Sequence, residues 1–259
     1  MLNPTAEGYV KHETHQHVTT IEFHHSQSNS LPAFLLESLA KQIHHAANDP
    51  LTHVIVLKST GEKVFCSGAS FDELAAITNE EDGRIFFSGF AAVINEIRKS
   101  EKFVIARIHG KCIGGGVGLA AAADYAIAQQ NADIKLSELA VGIGPFVVGP
   151  AVERKIGNAA FSQLSIDASS WRSAEWAYKR GLFAEIHADA AALDEAVSQL
   201  SQRLSRYSME AMKELKKILW AGTEHWDGLL QARAAISGKL VLSDFTKNFI
   251  TTFKEKQNS

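Results

Sequence analysis

Cysteine is scarce in this chain: among 259 residues only Cys66 and Cys112 carry thiols. Their spacing suits no metal site, and two thiols make no disulfide framework. A reducing, cytoplasmic setting is therefore the simple expectation. Neither has an activating neighbour in sequence, so both are expected to be small buried apolar residues. Long apolar runs are missing too, and no stretch approaches the roughly 20 residues needed to cross a bilayer. Residues 1–11 lack the apolar segment of a secretory signal. An excess of positive charge is absent: 26 Lys and Arg face 29 Asp and Glu, a net charge of −3, which argues against a nucleic-acid partner. No G-x-x-x-x-G-K-S/T phosphate loop occurs. What is present is ordinary globular composition, 46% apolar and 21% charged, in a chain long enough to bury a sizeable core.

Strand-like and helix-like segments alternate in the first half. Residues 9–23 predict two short strands meeting near residues 14–17. An amphipathic helix follows over residues 32–47, with Phe34, Leu35, Leu39 and Ile43 at helical spacing. Pro50 ends it, because the residue before proline avoids helical geometry. Residues 53–58 read as a buried strand and residues 64–66 as a second strand or its edge. A short helix is predicted over residues 72–76, and a polar segment, residues 78–83, separates it from a long helix over 84–99. Residues 103–108 are another buried strand, 117–123 a small-residue helix, and 125–128 and 134–136 further strands. From Pro150 onward the chain reads as helical, broken at Gly157, Gly181 and Gly222. This is an α/β pattern with a helical C-terminal region.

Two segments share a design in which an apolar strand runs through glycine into a helix start. One is Val64-Phe65-Cys66-Ser67-Gly68-Ala69; the other runs through His109-Gly110-Lys111-Cys112-Ile113 to Gly114-Gly115-Gly116. A helix start leaves backbone N–H groups unpaired and favours negative charge, and glycine lets a ligand approach closely. Two such turns facing one point make an oxyanion hole. Tight packing alone is an equal alternative. The run Gly116-Val117-Gly118-Leu119-Ala120-Ala121 also fits G-x-G-x-x-A, a dinucleotide fingerprint, with Glu138 roughly where a ribose-binding acid would lie. Against that reading, residues 110–113 intervene between strand and fingerprint, and the motif sits mid-chain.

These motifs resemble a known family. VIVLKSTGEKVFCSGASFDEL (residues 54–74), HGKCIGGGVGLAAAADYAIA (residues 109–128) and KLSELAVGIGP (residues 135–145) look like the successive signatures of the crotonase, or enoyl-CoA hydratase/isomerase, superfamily. AFSQLSIDASSWRSAEWAYKRGLFAEI (residues 160–186) resembles a later family stretch, so the likeness covers about residues 18–256. It implies a spiral of β-β-α units over residues 1–195 and a C-terminal helical, oligomerising region over 196–259, assembled as a trimer or hexamer. It also implies that an acyl-CoA thioester, typical of fatty-acid metabolism, binds as substrate with no resident cofactor or metal. Carried over by position, the amides of Ala69 and Gly115 form the oxyanion hole and Glu138 is the catalytic carboxylate. A second family carboxylate falls on Gly118, which has no side chain, and Ser70 stands where the family has Asp. Gly118 and Phe146 are expected in the substrate pocket, and Ser67, Ser70, Phe71 and Lys256 against CoA.

Double-bond isomerisation through Glu138 is slightly favoured over water addition by the same residue. A branched or dicarboxylic acyl group is possible if Gly118 frees space. A non-catalytic scaffold of the same fold is the alternative of another class. Seven of the eleven histidines precede residue 46, but metal binding would need further ligands. Arg206, Lys213, Lys216 and Lys217 read as a solvated basic face or, alternatively, a CoA phosphate contact. The terminal Phe253-Lys254-Glu255-Lys256 resembles the family segment that reaches CoA in a neighbouring subunit.

Overall fold

Successive strands of this protein divide between two sheets. The computed structural model describes residues 8–257. A hairpin opens it: β1 (Gly8–His15) and β2 (Val18–His25) pair antiparallel across Gln16 and His17, both at positive φ (47° and 67°). Helix α1 (Ala33–Asn48) crosses over to β3 (Val54–Ser59), parallel to β2. Its buried stripe is Leu35, Leu36, Leu39, Ile43 and Ala46. Phe34 is 39% exposed, so the apolar face is rotated toward Leu36 relative to the sequence reading.

Then a unit repeats. β3 joins the large sheet and β4 (Val64–Cys66) the small one, before α2 (Phe71–Ala76) and α3 (Glu80–Lys99). β5 (Phe103–Ile108) and β6 (Lys111–Ile113) divide in the same way and lead into α4 (Gly115–Ala122). β7 (Tyr125–Gln129) and β8 (Ile134–Lys135) precede α5 (Glu138–Val141). The large sheet runs β1-β2-β3-β5-β7-β9, closed by β9 (Glu185–His187), and the small one β4-β6-β8. All pairings after the hairpin are parallel. β6 and β9, three residues each, are strands that periodicity did not reveal. The residues that seemed to interrupt strand and fingerprint, 110–113, are largely β6.

All eight residues of α4 are buried. A side chain at Gly116 would lie 2.4 Å from the Cys66 carbonyl oxygen, so the missing Cβ lets α4 rest on β4. One at Gly118 would lie 2.4 Å from Val148 Cγ1. The glycines of the dinucleotide-like fingerprint thus face protein. Cys66 and Cys112 are free and fully buried, and burial pushes the Cys66 thiol up to about 12 and raises that of Cys112.

The remaining helices are α6 (Gly149–Ile166), kinked at Gly157, α7 (Ala174–Lys179), α8 (Ala190–Leu204), α9 (Met209–Leu219), α10 (Trp226–Leu240) and α11 (Asp244–Gln257). The expected division at residue 195 falls inside α8, whose Leu193 and Val197 pack on large-sheet residues such as Val54 and Ile127. Within the C-terminal region, Trp220, Trp226 and Leu230 are buried in the chain's own core, with Leu229 and Phe249 partly buried against it. The exposed apolar residues of α9 are Leu215, Ile218 and Leu219. Lys216 belongs to no solvated face. It is 2% exposed, and its Nζ pairs with Asp124 Oδ2 at 2.8 Å and donates to the carbonyls of Ile97 and Lys102. Lys155 Nζ and Trp220 Nε1 also donate to Asp124, which ties α9 to the β-sheet core. Among the described residues no helix is long and apolar enough to cross a membrane.

Candidate active site

The small sheet determines where the site lies. β4, β6 and β8 are neighbouring and parallel, so their C-terminal ends share one edge. The residues just after each strand must therefore converge. They are Gly68-Ala69 after β4, Gly114-Gly115 after β6 and Ser137-Glu138 after β8. Only glycine adopts the first two turns readily, with φ +87° at Gly68 and +52° at Gly114.

Backbone bonds hold the convergence. The Gly114 amide donates to the Lys135 carbonyl (2.8 Å), and the Gly68 carbonyl accepts from the Leu31 amide (2.7 Å). A Cβ on Gly68 would stand 3.2 Å from the Gly115 nitrogen, and one on Gly114 3.0 Å from Glu138 Oε1. The two turns and the carboxylate are thus in contact. The amides of Ala69 and Gly115 donate to no protein acceptor among the described residues. Gly115 opens α4, in the unpaired first turn where partial positive charge gathers, and Ala69 lies just before Ser70, the N-cap of α2. Behind Gly115 stands Phe90, whose Cε1 would be 2.2 Å from any Cβ there, so this position accepts glycine alone.

Glu138 is the first residue of α5. The residue is partly buried, but its Oε2 is shut off from solvent and has no hydrogen-bond partner among the described residues. Burial raises its carboxyl to about 7, against a smaller lowering by a backbone hydrogen bond within Glu138 itself. Such a group exchanges a proton readily near neutrality.

Two cavities meet here. The inner one, about 70 Å³, is walled by Phe87, Phe90, Ile143, Phe146 and Val148, with Glu138 as its single ionisable lining residue. The outer groove, about 910 Å³, runs past Gln27, Lys135, Trp171, Phe249 and Lys254. Ser67, Ala69, Phe71, Ser137 and Val141 line both, so they form the throat. A ligand held by the Ala69 amide would sit in that throat, with one end inward and the other along the groove.

Most of the sequence-assigned residues come together. Glu138, Ala69, Gly115, Phe146, Ser67 and Phe71 all line one cavity or both. Two do not. Ser70 is buried and caps α2, its hydroxyl accepting from the Glu73 amide. Gly118 is absent from the lining, because Val148 fills the space that its lack of a side chain leaves. The extra room expected there does not exist. Lys256 lies in α11, but its side chain is outside the described residues. That helix packs on its own chain: Phe253 meets Phe71 edge-on at 4.6 Å, and Lys254 Nζ is 2.5 Å from Asp72 Oδ1.

Sequence reasoning missed Trp171. It lies in the groove, with the ammonium groups of Lys111 and Lys135 over its ring at 4.6 and 5.3 Å. The three residues are far apart in sequence, and no periodicity links them. It also missed Ser237, which reaches the inner cavity from α10. Among the described residues no three or more His, Cys, Asp or Glu side chains gather as a metal site would require.

With this geometry in view, comparison with known proteins is decisive. The enoyl-CoA hydratase/isomerase family profile matches residues 13–259. The chain belongs to that family. It is 27% identical to a probable enoyl-CoA hydratase of Bacillus subtilis, over 93% of this chain and 94% of the relative. It is 30% identical to a carnitinyl-CoA dehydratase of Salmonella enteritidis, over 76% and 75%. Among solved structures, an enoyl-CoA hydratase from Bacillus halodurans superposes with a TM-score of 0.86 at 25% identity, covering 94% of this chain and 99% of the other. The β-β-α units and C-terminal helices are thus those of the enoyl-CoA hydratase/isomerase fold.

Proposed function

We propose that this family member moves a double bond along an acyl-CoA thioester, using one carboxylate and one oxyanion hole. The observation that carries the reading is Glu138. It is the single ionisable residue lining the inner cavity, its Oε2 has no partner, and its carboxyl is raised to about 7. The thioester oxygen sits between the amides of Ala69 and Gly115. The α-proton of a 3-enoyl thioester is weakly acidic, and its removal places negative charge on that oxygen. Each preorganised donor there lowers the barrier by about 3–4 kcal/mol. The Glu138 carboxylate takes the proton from C2, and the electrons shift through the dienolate. The resulting carboxylic acid returns the proton to C4 as the thioester carbonyl re-forms, leaving a 2-enoyl thioester.

Water addition by the same carboxylate is the second reading, supported by the names of the hydratase and dehydratase relatives. It asks more of one side chain, which must activate water at C3 and supply a proton at C2. The apolar lining, with Val148 against Gly118, provides no second carboxylate to divide that work. A panel of 2-enoyl and 3-enoyl CoA thioesters, followed by mass spectrometry and by the ultraviolet absorbance of the conjugated 2-enoyl thioester, separates the two. Isomerisation leaves the mass unchanged, and hydration adds one water. Rapid water addition with no double-bond shift would overturn the isomerase reading, while inertness toward every thioester would remove the enzymatic reading and favour a scaffold.

A further inference from the structure

Away from the throat, the inner cavity has one polar side chain that the double-bond shift does not use, Ser237. Ser237 is 2% exposed and lies on α10, yet its hydroxyl makes no hydrogen bond among the described residues. It is absent from the buried side-chain atoms cut off from any partner, among which Glu138 Oε2 and Ser165 Oγ do appear. Its oxygen therefore opens onto the cavity that the residue lines.

Ser237 is placed there by a close helix crossing. A Cβ on Gly83 of α3 would lie 2.7 Å from the Gly238 Cα of α10, so the two helices touch through backbone. That contact brings the residue beside Gly238 into the chamber walled by Phe87 and Phe90, which also lie on α3. Ser67 and Ser137 stand at the throat, lining both cavities. Ser237 lines the inner one alone, with Phe87, Phe90, Val147 and Val148. It is therefore on the acyl side of the thioester.

A hydroxyl facing an apolar chamber is poorly matched by a hydrocarbon chain. Burying it unpaired is unfavourable, whereas a substrate oxygen at hydrogen-bond distance satisfies it. An anionic ligand group is excluded, since no Lys, Arg or His lines the chamber to balance it. This removes the dicarboxylic option. The small volume, about 70 Å³, keeps the acyl part short.

Resting on the acyl-thioester reading above, we infer that Ser237 is a specificity residue selecting short acyl thioesters that carry a neutral oxygen function, a hydroxyl or carbonyl, beyond the reacting double bond.

The test compares two thioesters of equal size, 3-hexenoyl-CoA and 5-hydroxy-3-pentenoyl-CoA, in which a hydroxyl replaces the terminal methyl. The intact protein and Ser237→Ala are assayed for kcat/KM on both. The intact protein should prefer the hydroxylated thioester by about tenfold, the worth of one well-placed hydrogen bond. Ser237→Ala should lose or reverse that preference through a fall in kcat/KM on the hydroxylated thioester. Two results would overturn the inference: no preference in the intact protein, or a preference unchanged in Ser237→Ala. Both leave the acyl-thioester reading standing. Inertness of the intact protein toward both compounds, and toward the wider thioester panel, would remove that reading and the inference with it.

Discussion

Two positions that the family resemblance points to invite comparison, Glu138 and Gly118. The family resemblance assigns a carboxylate to each, and this chain has kept only one. Around Glu138 the protein leaves room: Gly114 gives up its side chain beside Oε1, and Oε2 has no partner among the described residues. Around Gly118 the protein is closed. Val148 Cγ1 stands 2.4 Å from where a Cβ would begin, and Val148 itself is buried. The place that a side chain at position 118 would take is thus sealed with hydrocarbon. On the proposed reading the chemistry falls to Glu138, whose protonation is balanced near neutrality.

The strongest way to break this comparison is to remove the charge stabilisation that gives either position meaning. Gly115→Pro confounds two effects, because any Cβ there meets Phe90. Ala69→Pro deletes the other amide without adding much bulk, and proline lacks the donor altogether. It should lower kcat about 10²–10³-fold, the usual loss for one oxyanion donor, with its thermal melt confirming that the fold survives. An unchanged rate would take Ala69 out of the oxyanion hole.

Next in size is the pH dependence that Glu138 imposes. Its carboxyl is raised from 4.5 to about 7 in the folded protein, so between these values the native state binds a proton that the unfolded chain has released. Stability from this group is full below about pH 4.5 and falls as pH climbs toward 7 and beyond, by about 3 kcal/mol in all. Denaturant melts of the intact protein and Glu138→Gln should therefore diverge as pH rises, with the intact protein losing ground. If proton abstraction starts the reaction, kcat/KM should fall about tenfold per pH unit below 7. A flat difference between the two melts would mean that Glu138 titrates as an ordinary carboxylate.

The smallest effect sharpens the other half of the comparison. Gly118→Glu should destabilise the protein by roughly 1–3 kcal/mol through overpacking, without gaining water addition. Gly118→Glu combined with Val148→Gly should recover part of that loss and add water to a 2-enoyl thioester. If Gly118→Glu alone hydrates well at full stability, the site is not sealed.

How much of this was legible in sequence follows from the range of each interaction. The order of elements and the two glycine turns were readable, because strand runs and helix starts are local patterns. β6 was hidden because its three residues, Lys111–Ile113, are too few to show alternation, yet it lies beside β4 and β8 and aligns the whole site. Ala69, Gly115 and Glu138 could be named through motifs of recognisable order. Ser237 and Trp171 could not, since each enters through a contact between segments distant in the chain. Lys216 misled for the same reason: its partner Asp124 is far away in sequence, and a basic run ordinarily means a solvated face. The room imagined beside Gly118 was the same error in reverse, because a missing side chain says nothing of what a distant loop puts in its place.

The account stands on Glu138 as the sole group that moves the proton, and Glu138→Gln tests it most directly. Glutamine keeps the shape of the side chain and cannot take a proton. With 3-hexenoyl-CoA, the ultraviolet absorbance of the conjugated 2-enoyl thioester reports turnover, while calorimetry with hexanoyl-CoA reports thioester affinity. The predicted result is a loss of turnover of about 10²–10⁴-fold, with affinity close to that of the intact protein. Turnover retained within a few-fold in Glu138→Gln would contradict it.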